Sequence, residues 1–329
     1  MRRSGSGRRA GRIGALVLVC AGGCGGGEGD RPPVFTPVSV TSDGSIHTLT
    51  LGDLKMVVDG AKGARITEFS LQGTNVLVTS DVQHDNYGST YWPSPQASWC
   101  ALGGGCWPPP AAIDSGPYTA DDDAADSIGL ASGVQSIAGI PDSAITVTKV
   151  FTPVPGSGAI DVTYALFNIS ATVSVSLAPW QVSRVATDGL AFFGQGSGAV
   201  TYAPNTSSTF TVDEMAGALW YASGPVTHDS KAFADGTGWL AQVTPERLLY
   251  LVSYPDFQPA DAAPGEAEIE LFTNGSYVEV EQQGALAAIP PGGGLTWTVR
   301  WKLRRVPGGT TVAPGDADLL SFATTALAE

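Results

Sequence analysis

Positive charge is scarce in this chain of 329 residues: 17 Lys and Arg stand against 31 Asp and Glu, a formal net charge of −14. Such a field repels phosphate backbones, which excludes nucleic acid as a partner. Histidine is rarer still, with three in the chain, and there are four cysteines. No His and Cys cluster has zinc spacing, no Ser, His and Asp set suggests acyl transfer, and no glycine motif is suited to cradling phosphate. No metal and no cofactor is therefore expected. Beyond the N-terminus no run is apolar enough to cross a bilayer. Helical periodicity is also uncommon, and Val, Thr, Gly and Pro take its place.

What the chain does have begins with an export signal. MRRSGSGRRAGR carries five arginines and no acid, and IGALVLVCAGG follows as a short apolar run, too short for a membrane span. The ending Ala21-Gly22-Gly23-Cys24 resembles a bacterial lipobox, with Ala21 in place of the more usual leucine, so Cys24 is the expected lipidation site. Ordinary signal cleavage is the alternative. Residues 25–33 then read as a flexible tether, and 34–329 as a single domain. Gly25 leans toward the outer membrane, on the periplasmic or extracellular side of a Gram-negative envelope, with the N-terminal lipid as the sole membrane contact and a monomeric body. Losing the leader removes five arginines, so the formal charge moves from −14 to −19.

Alternating or apolar runs recur at 45–60, 64–80, 143–154, 159–170, 172–185, 238–255 and 294–303, separated by Gly, Pro, Asn and Asp clusters. So many strands in one chain predict an all-β fold, a large two-sheet antiparallel β-sandwich. The weakly patterned 114–141 reads as a possible insertion, and the last 13 residues, ADLLSFATTALAE, as a short closing helix.

One hairpin stands out chemically. GEAEIELFTNGSYVEVEQQ, residues 265–283, places Asn274-Gly275 between two alternating runs, the strongest short hairpin signal. A two-residue turn there pairs Phe272 with Tyr277, Glu270 with Glu279 and Glu268 with Glu281. Leu271, Val278, Ile269 and Val280 then share one face, and Glu268, Glu270, Glu279 and Glu281 crowd the other. Like charges directly opposite one another are destabilising. Either this face is solvated, or it is a site where crowding and burial tune a carboxylate or where hydroxyls or a cation bind.

A second constellation lies in NYGSTYWPSPQASWCALGGGCWPPP, residues 86–110. Cys100 and Cys106 in an exported protein predict a disulfide closing a small ring. Tyr91, Trp92, Trp99 and Trp107 surround it in a Pro- and Gly-rich setting. An indole face can stack on a pyranose while Gln96, Asn86 and His84 hydrogen-bond its hydroxyls. The alternative has Trp92 and Trp99 plugging one end of the sandwich. Arg184 could fork onto a carboxylate or vicinal hydroxyls, and Lys231 could pair with the acidic hairpin. Trp180 and Trp239 rank lower, since strand neighbours offer them a core role.

GARITEFSLQGTNVL and IELFTNGSYVEVEQQGALAAIPPGGGLTWTVRWKL resemble the opening strand pair and the closing segment of the galactose-mutarotase-like (aldose 1-epimerase-like) superfamily. More narrowly, YWPSPQASW, LAPWQVSRV, KAFADGTGWLAQV and YVEVEQQG together resemble an uncharacterised bacterial family within it, domain of unknown function 4380. The resemblance implies a supersandwich fold and a carbohydrate ligand. By its Glu-x-Gln pattern it points to Glu281 as the base on the anomeric hydroxyl, with Glu279 in reserve. The superfamily's Asn-His-x-aromatic motif is absent, and of His47, His84 and His228 the loop residue His84 is the candidate acid. Sugar binding on this scaffold is the first reading, and an epimerase-like isomerase is the second.

Overall fold

The computed structural model describes residues 37–100, 106–122 and 126–329. The leader, Cys24 and the tether lie outside them. Two antiparallel sheets carry the described chain. The first has 12 strands, and along its main path run Val38–Asp43, Ile46–Leu51, Leu54–Asp59, Arg65–Leu71, Ser89–Ser94, Val175–Val185, Val278–Gln283, Ile269–Thr273, Ser230–Ala234 and Thr201–Tyr202. The second has 10 strands, in which Gly294–Arg305 lies between Leu248–Ser253 and Ala159–Asn168.

Ile145–Val154 and Leu54–Asp59 keep the period-two pattern, with Ile145, Val147 and Phe151 buried on one face and Thr146, Thr148 and Thr152 turned outward. The main core fills the space between the sheets, with Phe69 packed edge-on to Trp301 at 5.1 Å and Tyr91 stacked on Tyr164 at 4.6 Å. Within 114–141, Thr119–Asp122 and Ile128–Ala131 extend the edge of the second sheet.

The closing helix spans Ala317–Ala328. Asp316 caps it by accepting from the Leu319 N–H at 2.8 Å, and Lys302 Nζ donates to the Ala326 carbonyl at 2.6 Å near its other end. Leu319, Ala323 and Ala326, spaced at helical intervals, bury a second cluster on the outer face of the second sheet, together with Trp239, Trp220 and Phe192. Trp239 is thus a core residue.

Three adjacent strands of the first sheet lose their alternation. Ser89–Ser94 and Val278–Gln283 are buried at every position, and Val175–Val185 at all but Ser176. Their inner face packs on the core, so something must also cover their outer face. The cover is a third cluster of Trp92, Trp99, Trp180 and Val182, and the site is built there.

Candidate functional site

Strand register decides which side chains share this outer face. Trp92 pairs with Trp180, Trp180 with Gln283, Val182 with Glu281 and Arg184 with Glu279. In the hairpin, Glu270 faces Glu281 and Phe272 faces Glu279. The expected two-residue turn is therefore corrected to a four-residue loop, Asn274 to Tyr277, which moves the pairing by two positions. A shift of two leaves each side chain on the face predicted for it. The loop holds itself with side chains: Gly275 N–H donates to Thr273 Oγ1 at 3.1 Å, Ser276 N–H to Asn274 Oδ1 at 2.9 Å, and Thr273 Oγ1–H to the Tyr277 carbonyl at 2.6 Å. Gly275 has φ +89°, and a Cβ there would lie 2.3 Å from the Val226 carbonyl oxygen. Asn274 is not in the left-handed region, so a type I′ turn does not form.

The acidic face is not solvated. Glu268, Glu270, Glu279 and Glu281 are all buried, and burying carboxylates demands partners. Lys231 supplies two of them, its Nζ lying 2.5 Å from Glu270 and 3.3 Å from Glu281. Trp180 Nε1–H donates to Glu281 Oε2 at 2.9 Å, and Gln283 Nε2–H to Glu270 Oε1 at 2.8 Å. Arg184 Nε–H donates to Glu279 at 2.8 Å and Nη1–H to Thr90 Oγ1 at 2.8 Å, while its guanidinium lies 5.0 Å from the centre of the Trp92 ring.

Burial opposes the charge on Lys231, but Glu270 and Glu281 outweigh it and hold the ammonium above the ordinary lysine range. Burial pushes Glu270 up to about 7, with Lys231 pulling the other way. Glu281 is raised well above the carboxylate range, by burial first and then by Glu270 and Glu279. Its Oε1 has no hydrogen-bond partner among the described residues.

Above this floor lies a depression of about 410 Å³. Trp92 lines it from the strand Ser89–Ser94, Gln96 and Trp107 from either side of the disulfide, Lys231 and Asp229 from the strand Ser230–Ala234 and its approach, and Phe272, Tyr277, Glu279 and Glu281 from the hairpin. Trp107 is the exposed ring, 52 % accessible, and stands edge-on to Trp92 at 5.7 Å. The expected Cys100–Cys106 disulfide is present, and Gln96 Nε2–H donates to the Cys106 carbonyl at 3.1 Å, tying the ring to the wall. Trp99 is buried, stacked on Trp180 at 5.7 Å, with its Nε1–H on the Pro93 carbonyl at 2.7 Å, so it supports the wall from behind. Trp92 Nε1–H donates to Asp114 at 2.7 Å.

Two predicted site residues lie elsewhere. Glu268 accepts from the Gly236 and Gly238 N–H groups at 3.0 and 2.9 Å and lines a neighbouring depression. Burial pushes it up to about 7, against the pull of those two donors. His84 is 92 % exposed, sits 2.8 Å from Asp85, and belongs to a third depression beside Arg65 and Asp114. His47 bonds Ser42 and His228 the Asn205 carbonyl, so no histidine lines the aromatic depression among the described residues. Phe272, Tyr277 and Asp229 were not foreseen as site residues. For Phe272 the signal was available, since it shares the parity of Glu270.

Comparison with known proteins supports the architecture alone. No protein-family model matches the chain, and no curated protein matches it. Among solved structures, a Klebsiella pneumoniae protein named as a candidate aldose 1-epimerase is 11 % identical, with a TM-score of 0.55 over 88 % of this chain and 86 % of that one. A galactose mutarotase-like protein from Lactobacillus casei is also 11 % identical, with a TM-score of 0.53 over 79 % of this chain and 100 % of its own. A TPR-domain containing protein from Parabacteroides distasonis gives 0.53 at 11 % identity, over 82 % of this chain and 49 % of its own. The chain has the galactose-mutarotase-like β-sandwich fold.

Proposed function

We propose that this protein binds a carbohydrate in the aromatic depression, without turnover, as an exported chain anchored through lipid on Cys24. The observation that carries the reading is the pairing of an exposed indole, Trp107, with amide and carboxylate groups of Asn86, Gln96, Asp229 and Glu279 around one depression. A pyranose has an apolar C–H face and a rim of hydroxyls, and such a wall and floor match both. Membership of domain of unknown function 4380 belongs to the same reading, and the segments that resemble it fall on Ser89–Ser94, Val175–Val185, Ser230–Ala234 and Val278–Gln283, the strands that build the floor. The lipobox ending and the tether support an outer-membrane lipoprotein whose body is one monomeric domain of residues 34–329.

A second reading, an epimerase-like isomerase with Glu281 as base, is favoured by the place of Glu281 in the lining of the depression and by its Oε1, which has no hydrogen-bond partner among the described residues. A glycan-array screen followed by anomer-exchange NMR on each hit separates the two. Binding alone predicts hits with no exchange above the solvent rate, and about tenfold weaker binding for Trp107→Ala, the loss of roughly 1.4 kcal/mol of stacking. Isomerase activity predicts exchange that Glu281→Gln abolishes. An array with no hits defeats both readings.

A further inference from the structure

The depression that holds Glu268 is the larger of the two, about 630 Å³, and it opens on the same face of the first sheet. Thr201 pairs with Phe233, Phe233 with Glu270, and Lys231 with Phe272, so register places all of these on the side that carries Trp180 and Glu281. The two depressions share their dividing wall. Lys231 Nζ lies 4.9 Å from the centre of the Trp180 ring on one side and 5.5 Å from that of Phe233 on the other. Gln96, which lines the first depression, donates its backbone N–H to Glu266, which lines the second, at 2.8 Å.

The aromatic ring of the second depression is Phe233, which shares the face of Thr201 and Glu270 and is held 5.5 Å from Lys231 Nζ; Tyr202 pairs with Ala232 and turns its ring to the other side, edge-on to Phe210 at 6.4 Å. Asp235 is likewise held, accepting from Ser197 Oγ–H at 3.0 Å. From the strand of Trp92 to the strand of Tyr202 the sheet takes five inter-strand steps, about 24 Å at the usual spacing. That is several times the width of one sugar ring.

We infer that the two depressions are successive subsites of one groove, and that the ligand is a neutral oligosaccharide rather than a monosaccharide. This rests on the sugar-binding reading of the first depression. The charge of the groove sets the chemical class. Lys231 is engaged by Glu270 and Glu281, and Arg184 by Glu279, which leaves Asp229, Asp235 and Glu266 without a cationic partner among the described residues. A uronate or sulfated unit would meet like charge with nothing to neutralise it, whereas hydroxyls can donate to every one of these carboxylates.

The test is affinity against chain length, measured by calorimetry on the full chain. The probes are neutral gluco-, galacto-, manno- and xylo-oligomers of one to six units, with oligogalacturonates as the charged series. At least tenfold tighter binding of a tetramer than of its monomer is expected, with the gain lost in Asp235→Ala and in Ala199→Arg, which fills the second depression from an exposed position. Monomer binding should be unchanged in both variants. Equal affinity for one and four units overturns the groove and leaves the sugar reading standing, as does a chain-length gain that both variants retain. Tighter binding of oligogalacturonates overturns the neutral class. Failure of every probe, with an empty glycan array, overturns the sugar reading and the groove together.

Discussion

Replacing Lys231 with Met is the sharpest perturbation the floor of the site allows. The side chain keeps its length and its contact with Trp180 and Phe233, but the ammonium leaves two buried carboxylates 2.5 and 3.3 Å away. Lys231 is 18 % exposed and the two glutamates are fully buried, so solvent screening is weak and the pair does not fall in the class of surface bridges. Removing one partner from a buried pair costs about 3 to 5 kcal/mol, chiefly through the uncompensated charge left behind.

The same geometry makes that loss depend on pH. Glu270 and Glu281 are raised in the folded protein even with Lys231 present. A carboxyl with a raised folded pKa binds more protons folded than unfolded, so its contribution to stability is full below the unfolded value and is lost as pH rises through the folded one. Without Lys231 both rise further, each added pKa unit costing about 1.4 kcal/mol at a pH above both values. Urea denaturation of wild type and Lys231→Met between pH 5 and pH 8.5 should therefore show a gap that widens with pH, reaching about 3 to 5 kcal/mol at the alkaline end. A gap that is flat across this range, or under about 1 kcal/mol throughout, would refute the buried-pair account.

Three further outcomes follow from other parts of the molecule. Glu268 is pushed up to about 7, so wild-type stability should fall between about pH 4.5 and pH 7 and the fall should be shallower in Glu268→Gln; denaturation midpoints that move identically with pH in both proteins would contradict this. Reducing Cys100–Cys106 should free Trp107 and weaken ligand binding at denaturant concentrations where the sheets remain folded, because the ring it closes is local; simultaneous loss of Trp fluorescence and far-UV dichroism would count against it. Cys24→Ser should move the protein from the membrane fraction to the soluble one, and a variant that stays in the membrane while the wild type carries no acyl mass argues against the anchor.

The β-sandwich was legible because period-two runs separated by Gly and Pro are a local signal, and the closing helix because its apolar spacing is local as well. The acidic face of the hairpin was legible for the same reason. Its register was not, since Asn274-Gly275 favours a two-residue turn in isolation, while Thr273 and Asn274 side chains and the nearby Val226 carbonyl select a four-residue loop. Burial of the glutamates was hidden because the covering layer comes from residues 86–110, far away in sequence, joined through Val175–Val185. His84 misled because it neighbours the aromatic segment in sequence, yet the strand Ser89–Ser94 carries that segment onto the sheet and leaves His84 with Asp85 on the surface. Asp229 and Tyr277 each entered the site as the last residue of a strand connection, just before Ser230–Ala234 and Val278–Gln283, where the geometry of the connection is not encoded by a local pattern.

Stability alone does not account for the charges under the aromatic layer. A buried set of Lys231, Glu270 and Glu281 costs desolvation of an ammonium and of two carboxyls whose ionisation burial opposes, and apolar side chains of similar volume in its place would be neutral or better by about 1 to 4 kcal/mol. The rest of the first sheet has no difficulty filling its inner face with Leu, Val and Phe. The ions are kept where Trp180, Glu281 and Lys231 together form the floor of an opening, beneath a disulfide-tied wall that presents one exposed indole. A charged floor fixed by its own internal partners offers hydrogen-bonding groups at set positions without needing to reorganise when a ligand arrives, which is the property that selects one pattern of hydroxyls over another. On this argument a Lys231→Leu, Glu270→Leu and Glu281→Leu protein keeps its fold at undiminished stability and loses its ligand. Equal loss of both would return the charged floor to a purely structural role.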